Sequence, residues 1–152
     1  MQSLQEQFAP NNACFGCGPA NEKGLQIRSF AEGDTLVCEW VPQPHHCAFE
    51  GMLSGGICGT LLDCHSNWAA AYFLMKRAGV TELPCTVTAE FTVKLRRPTP
   101  MDGPVVLRAS VTEISEDRAR VSATLEAGGQ VTARCEGLFV AVQEGHPAYH
   151  RW

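Results

Sequence analysis

Gly55 and Gly56 stand at the entry of an apolar helix, and seven residues beyond Gly56 the helix carries one acid, Asp63. Backbone N–H groups at a helix N-terminus lack intrahelical partners and carry partial positive charge, and glycines there let an oxyanion approach closely. Such a turn can bind developing negative charge. An acid on a helix ordinarily points to water. Here few charges occur between Gly51 and Met75, and the helix is apolar round most of its circumference, so Asp63 reads as placed rather than incidental.

The element that must carry both groups is predicted as a helix from Gly55 to Ala78, with Gly79 as its stop and no proline inside. Leu61, Leu62, Trp68, Ala69 and Tyr72 recur on one broad apolar face. Gly56, Gly59, Thr60, Asp63, Ser66, Asn67 and Ala70 form a small, polar stripe. His65 falls with the apolar set. Residues two apart on a helix point in different directions, so His65 and Asp63 make no dyad, and a hydrogen-bonded core histidine is favoured over a catalytic base. Neither Cys64 nor Ser66 has a convincing triad around it, since the chain holds no Gly-x-Ser-x-Gly elbow.

The run from His46 to Asp63, with Ser54-Gly55-Gly56 followed by Thr60-Leu61-Leu62-Asp63, resembles hotdog-fold acyl-CoA thioesterases of the PaaI-like group. Two further stretches agree: Cys14-Phe15-Gly16-Cys17-Gly18 with Asn21 and Gly24-Leu25 behind it, and Leu95-Arg96-Arg97-Pro98. The resemblance covers nearly the whole chain. It implies that Asp63 acts as general base or nucleophile and that the Gly56 N–H polarises a thioester carbonyl. Family members more often have His where Ser54 stands, and some have Asn at the position of Ala48; His46 and Ser54 are the candidate substitutes for orienting carbonyl and water. Alignment on Arg97-Pro98 places Thr88 where some relatives use an assisting hydroxyl. Expected substrate contacts are thus His46, Ser54, Gly55, Asn67, Thr88, Arg96 and Arg97; the two arginines either meet phosphate at the nucleotide end of coenzyme A or stand as solvated surface at a strand end. The implied reaction is hydrolysis of an acyl-CoA. The alternatives are a non-catalytic acyl-CoA-binding hotdog module and a hotdog hydratase or dehydratase. Coenzyme A enters only as part of the substrate, with no cofactor. The implied assembly is a homo-oligomer, a dimer or a dimer of dimers, joined sheet edge to sheet edge.

At 152 residues and 45% hydrophobic content, the chain fits a single domain over 1–152, with residues 1–21 as an amino-terminal extension. A net charge of −4 with dispersed basic residues leaves no footprint for nucleic acid or an anionic membrane surface. The longest apolar run, Trp68 to Met75, falls far short of the roughly 20 residues that span a bilayer, and the first residues lack a signal-peptide pattern. A cytoplasmic protein is expected.

Of eight cysteines, Cys38, Cys58, Cys64, Cys85 and Cys135 sit singly in apolar segments and read as reduced core residues. Cys14 and Cys17 are paired and glycine-flanked. They read as a structural turn, with metal and redox roles as alternatives; His45, His46 and Cys47 are the further donors considered. A lone Cys-x-x-Cys lacks its second half. No metal is therefore expected, and the pair should be dispensable for chemistry.

The remaining layout is a flexible segment to about Asn21, strands over Gly24–Phe30 and Thr35–Val41 joined as a hairpin, and a loop through Pro42, Pro44, His45 and His46. Four strands follow the helix: Cys85–Leu95, Val105–Ile114, Arg118–Glu126 and Val131–Val142, with turns at Glu116-Asp117 and Gly128-Gly129. Consecutive strands after one apolar helix favour an antiparallel sheet covering that helix, an α+β fold. The resemblance specifies a hotdog fold, about six strands curled around the long helix.

Overall fold

The structure, a computed structural model, describes residues 1–150 and Trp152. A short helix α1 (Leu4–Phe8) precedes strands β1 (Phe30–Glu32) and β2 (Thr35–Trp40). A 3-10 turn at Pro44–His46 leads to β3 (Cys47–Phe49) and β4 (Met52–Leu53), then the long helix α2 (Gly55–Ala78). Strands β5 (Thr86–Leu95), β6 (Val105–Ile114), β7 (Arg118–Ala127) and β8 (Gln130–Ala141) complete the order. Six strands form one sheet in the order β1-β2-β6-β7-β8-β5, every pairing antiparallel. With α2 packed against it, this is the expected α+β hotdog arrangement. Among the described residues, no helix is long and apolar enough to cross a membrane.

Helix α2 ends where glycine allows it to. Gly79 adopts φ 69, its N–H donates to the Lys76 carbonyl, and the Val80 N–H reaches back to that of Met75, which closes the last turn as a Schellman motif. Leu61, Leu62, Trp68, Ala69 and Ala70 are fully buried. Alternating residues of β7 oppose them, Ala119, Val121, Ala123 and Leu125, and the alanines let the helix lie close to the sheet. Burying each large apolar side chain here stabilises the fold by about 1.5–3 kcal/mol. Trp152 joins this core: its ring lies 4.8 Å from that of Trp68, and its indole N–H donates to the Pro84 carbonyl. The β7–β8 turn uses Gly128 at φ 58 and Gly129 at φ 77, the conformation a two-residue type I′ hairpin requires.

Three expectations need correction. Residues 1–21 are not a loose extension: Ser3 and Glu6 form a capping box on α1, and Ser3, Leu4, Gln5, Ala9 and Cys17 are buried. Strand β1 is confined to Phe30–Glu32, because residues 25–29 bond to the amino-terminal segment instead of the sheet. Leu25 N–H donates to Phe15, Ile27 to Gly16, and the Ser29 carbonyl accepts from Leu4. The loop before α2 contains the small β3–β4 ladder, whose strands are too short for a periodicity.

His65 is a core histidine, fully buried. Its Nε2–H donates to the Leu36 carbonyl at 2.9 Å, which leaves Nδ1 to accept from Ser29 Oγ, also at 2.9 Å. Gln5 closes the network by donating to Ser29 Oγ and accepting from its N–H. Burial pushes the His65 pKa down to about 4. An unfolded chain takes up this proton below about pH 6.5, whereas the folded chain refuses it until about pH 4. The contribution is thus full above pH 6.5 and lost as pH falls through that window, about 3 kcal/mol at its lower end. Denaturant unfolding at pH 7 and pH 4.5 should show a flatter dependence for His65→Gln than for wild type. Identical slopes would assign the acid sensitivity to other groups.

Candidate active site

Asp63 lies half-buried on α2, and the Thr88 hydroxyl donates to its Oδ1 at 2.7 Å. Thr88 reaches it because β5 carries a bulge. Thr88 pairs with Phe139 and Glu90 with Leu138, so Ala89 is the extra residue, and bulges of this kind re-aim neighbouring side chains. The Asp63 charge also faces β8, where, after burial, it helps push the Cys135 thiol up to about 11. One helical turn beyond Asp63, Asn67 is buried; its amide N–H contacts the Thr86 carbonyl at 3.4 Å, and its Oδ1 has no partner among the described residues.

At the other end of the stripe, Ser54 is the N-cap of α2 but its side chain makes no capping hydrogen bond. The first ladder bond is Cys58 N–H to the Ser54 carbonyl, at 3.0 Å. The Gly56 N–H therefore lies in the uncapped first turn, and Gly56 itself is exposed. Among the described residues, a Cβ at Gly56 would meet only Ser54 Oγ at 3.6 Å, and one at Gly59 nothing within 4 Å. Packing within the chain does not demand glycine at either position, so this side of the helix is clear for approach from outside. Ser66, Asn67 and Ala70, predicted on the same stripe, are instead buried. A cleft of about 680 Å³ opens past the far end of α2, lined by Leu83, Cys85, Tyr149 and Trp152, and includes neither Gly56 nor Asp63.

His46 is buried and largely committed to its own turn. Its Nδ1 accepts from the Gln43 N–H at 2.8 Å, its ring lies 4.9 Å from that of Trp40, and burial together with the neighbouring His45 lowers its pKa. Its backbone carbonyl accepts from the Ser54 N–H, tying it to the helix entry. Gly55 lies against β5: a Cβ there would come 2.9 Å from Leu95 Cδ1. Arg96 and Arg97 follow Leu95 directly and line a shallow basic depression with Gln130, Val131 and Arg134. Arg97 donates to Gln130 Oε1 at 2.6 Å. Arg134 was not visible as a site residue from sequence; it joins through β5–β8 pairing, where it stands opposite Lys94.

The sequence profile of the thioesterase superfamily matches residues 51–134, from the turn before β4 into β8, a span holding Gly56, Asp63 and Thr88. The chain belongs to the thioesterase superfamily. Among solved structures, a thioesterase superfamily protein from Shewanella loihica is 26% identical, with 82% of this chain and 98% of that one covered and a TM-score of 0.67. A putative thioesterase from Ralstonia eutropha, described as phenylacetic acid degradation-related, is 18% identical over 83% of this chain and 92% of its own, TM-score 0.67. An uncharacterised protein from Pyrococcus horikoshii shares the fold at 14% identity, with 95% and 97% covered and a TM-score of 0.68. No curated protein matches the chain.

Proposed function

We propose that this member of the thioesterase superfamily is an acyl-CoA thioesterase of the PaaI-like group. Asp63 activates water by taking its proton, or attacks the thioester carbon itself. The carbonyl oxygen gains negative charge against the Gly56 N–H and the carbon–sulfur bond breaks. On the first route the proton held by Asp63 passes to the leaving sulfur; on the second the mixed anhydride left on Asp63 is hydrolysed by a water that also supplies that proton, so both end in a free acid and CoA as the thiol. The observation that carries this reading is the Asp63 carboxylate held by Thr88 on the same helix face as an uncapped glycine N-terminus. The basic depression of Arg96, Arg97 and Arg134 lies just past Leu95, which packs on Gly55, and suits the phosphates of coenzyme A. Asp63 and Gly56 act across two chains. Strand β5 is a sheet edge with Phe91 and Leu95 exposed, a surface that a second copy would cover.

Steady-state hydrolysis of a panel of acyl-CoAs, with direct binding measured on the same preparation, tests the reading. Turnover is expected; binding without turnover would make the chain a carrier module, and absence of both would remove acyl-CoA as the ligand. On the best substrate of the panel, Arg134→Gln should raise KM by about 5-fold, in keeping with an exposed charge pair worth about 1 kcal/mol, and leave kcat unchanged. The same variant should leave the matching acyl-pantetheine thioester unaffected, since it has no nucleotide phosphates. An equal change on both thioesters would remove the phosphate role.

A further inference from the structure

Cys14 and Cys17, on the loop after α1, meet Cys64 of α2, and the three sulfurs lie within 4.8 Å of one another. All three are free thiols, with Cys14 Sγ 3.8 Å from Cys64 Sγ. Four sulfurs at zinc–thiolate bond length around a tetrahedral ion stand about 3.8 Å apart, so this pair already has the spacing of two ligands. The third donor missing from the Cys-x-x-Cys segment comes from fifty residues away, one position after Asp63 and turned to another side of the helix. His45, His46 and Cys47 are not part of the cluster.

The loop is shaped to reach this point. A Cβ on Gly16 would come 2.4 Å from Cys64 Sγ, and one on Gly18 would come 2.4 Å from both the Asn12 carbonyl and the Cys14 nitrogen. Only glycine at 16 lets the loop seat its two thiols against the third. Backbone N–H groups of Gly16 and Cys17 lie near the Cys14 sulfur. The Trp68 indole N–H is fully buried near Cys17 and has no hydrogen-bond partner among the described residues. Donors of this kind around sulfur form the outer shell that holds thiolate ligands in place. Cys38, Cys58 and Cys135, by contrast, are buried in the apolar core and stand outside this cluster.

We propose that Cys14, Cys17 and Cys64 bind one thiophilic closed-shell metal ion, of the class of zinc or cuprous ion, which clamps the amino-terminal segment onto α2. A disulfide would use two of the sulfurs and leave the third without a role, whereas one ion engages all three. The described residues supply three donors, so a zinc ion would keep a fourth position for water or a small exogenous ligand.

Elemental analysis of the full chain purified without added metal should find about one zinc or copper per chain. Exposed Cys47→Ser should keep the ion, whereas Cys64→Ser should lose it. Should Cys64→Ser fail to fold, wild type alone decides: after chelation and reduction, added Co2+ should give a thiolate-to-cobalt charge-transfer band that stoichiometric Zn2+ abolishes. Protein that carries no ion and gives no band overturns the proposal. An intact mass two hydrogens short with one free thiol among the three also overturns it, in favour of a disulfide.

Discussion

Asp63→Asn is expected to lower acyl-CoA turnover by at least about 100-fold while leaving the protein folded. Asparagine matches aspartate in size, and its Oδ1 can still accept from the Thr88 hydroxyl, which donates at 2.7 Å in the wild type. What disappears is the ability to take a proton from water or to attack a carbonyl carbon. Thr88→Val gives the complementary perturbation, because it keeps the carboxylate and removes a hydroxyl that holds it. A smaller loss is expected, on the order of 10-fold, the equivalent of one hydrogen bond to a charged group at about 1.5 kcal/mol. Purified, folded Asp63→Asn that turns over as fast as wild type would withdraw Asp63 from the chemistry.

How much of this could be read from the chain alone follows the range of each signal. The bounds of α2 were legible because both ends are local: a Ser-Gly-Gly entry and Gly79 after an unbroken apolar stretch. Strands β6, β7 and β8 were legible to within a residue from alternation and from the Gly128-Gly129 turn. Helix α1 was missed although Ser3 and Glu6 carry the capping-box pattern, since one turn of helix offers no periodicity. Strand pairing was not legible. It brings Arg134 into the basic depression and, through the bulge at Ala89, Thr88 onto Asp63, which only the family alignment had placed there. Cys64 read as a core residue because its apolar neighbours in sequence say nothing of a loop fifty residues upstream.

Two variants that are each inactive should regain activity when mixed, provided the site is shared between chains. Gly56 and Asp63 are seven residues apart on one helix, so their backbones stand about 10 Å apart along its axis, too far to act on one carbonyl. Two α2 helices placed antiparallel across a two-fold axis would set Gly56 of one chain opposite Asp63 of the other, giving two equivalent sites per dimer. Gly56→Pro removes the proposed oxyanion donor at a tolerable place: the residue is in the first turn, where its N–H has no ladder bond to lose, and the residue before it is a glycine. Gly56→Ala is the control for added bulk, because its Cβ would make only an ordinary contact with Ser54 Oγ and its N–H is kept. In a mixture of Asp63→Asn with Gly56→Pro, a mixed dimer holds one doubly damaged site and one intact site. With full exchange of equal amounts, half the dimers are mixed and each carries half the normal sites, so about a quarter of wild-type activity should return. Mass measurement of differently tagged chains reports the exchange. If exchange is complete, both variants are folded and the mixture stays inactive, Asp63 must act with donors of its own chain, and the two-fold arrangement of the site is wrong.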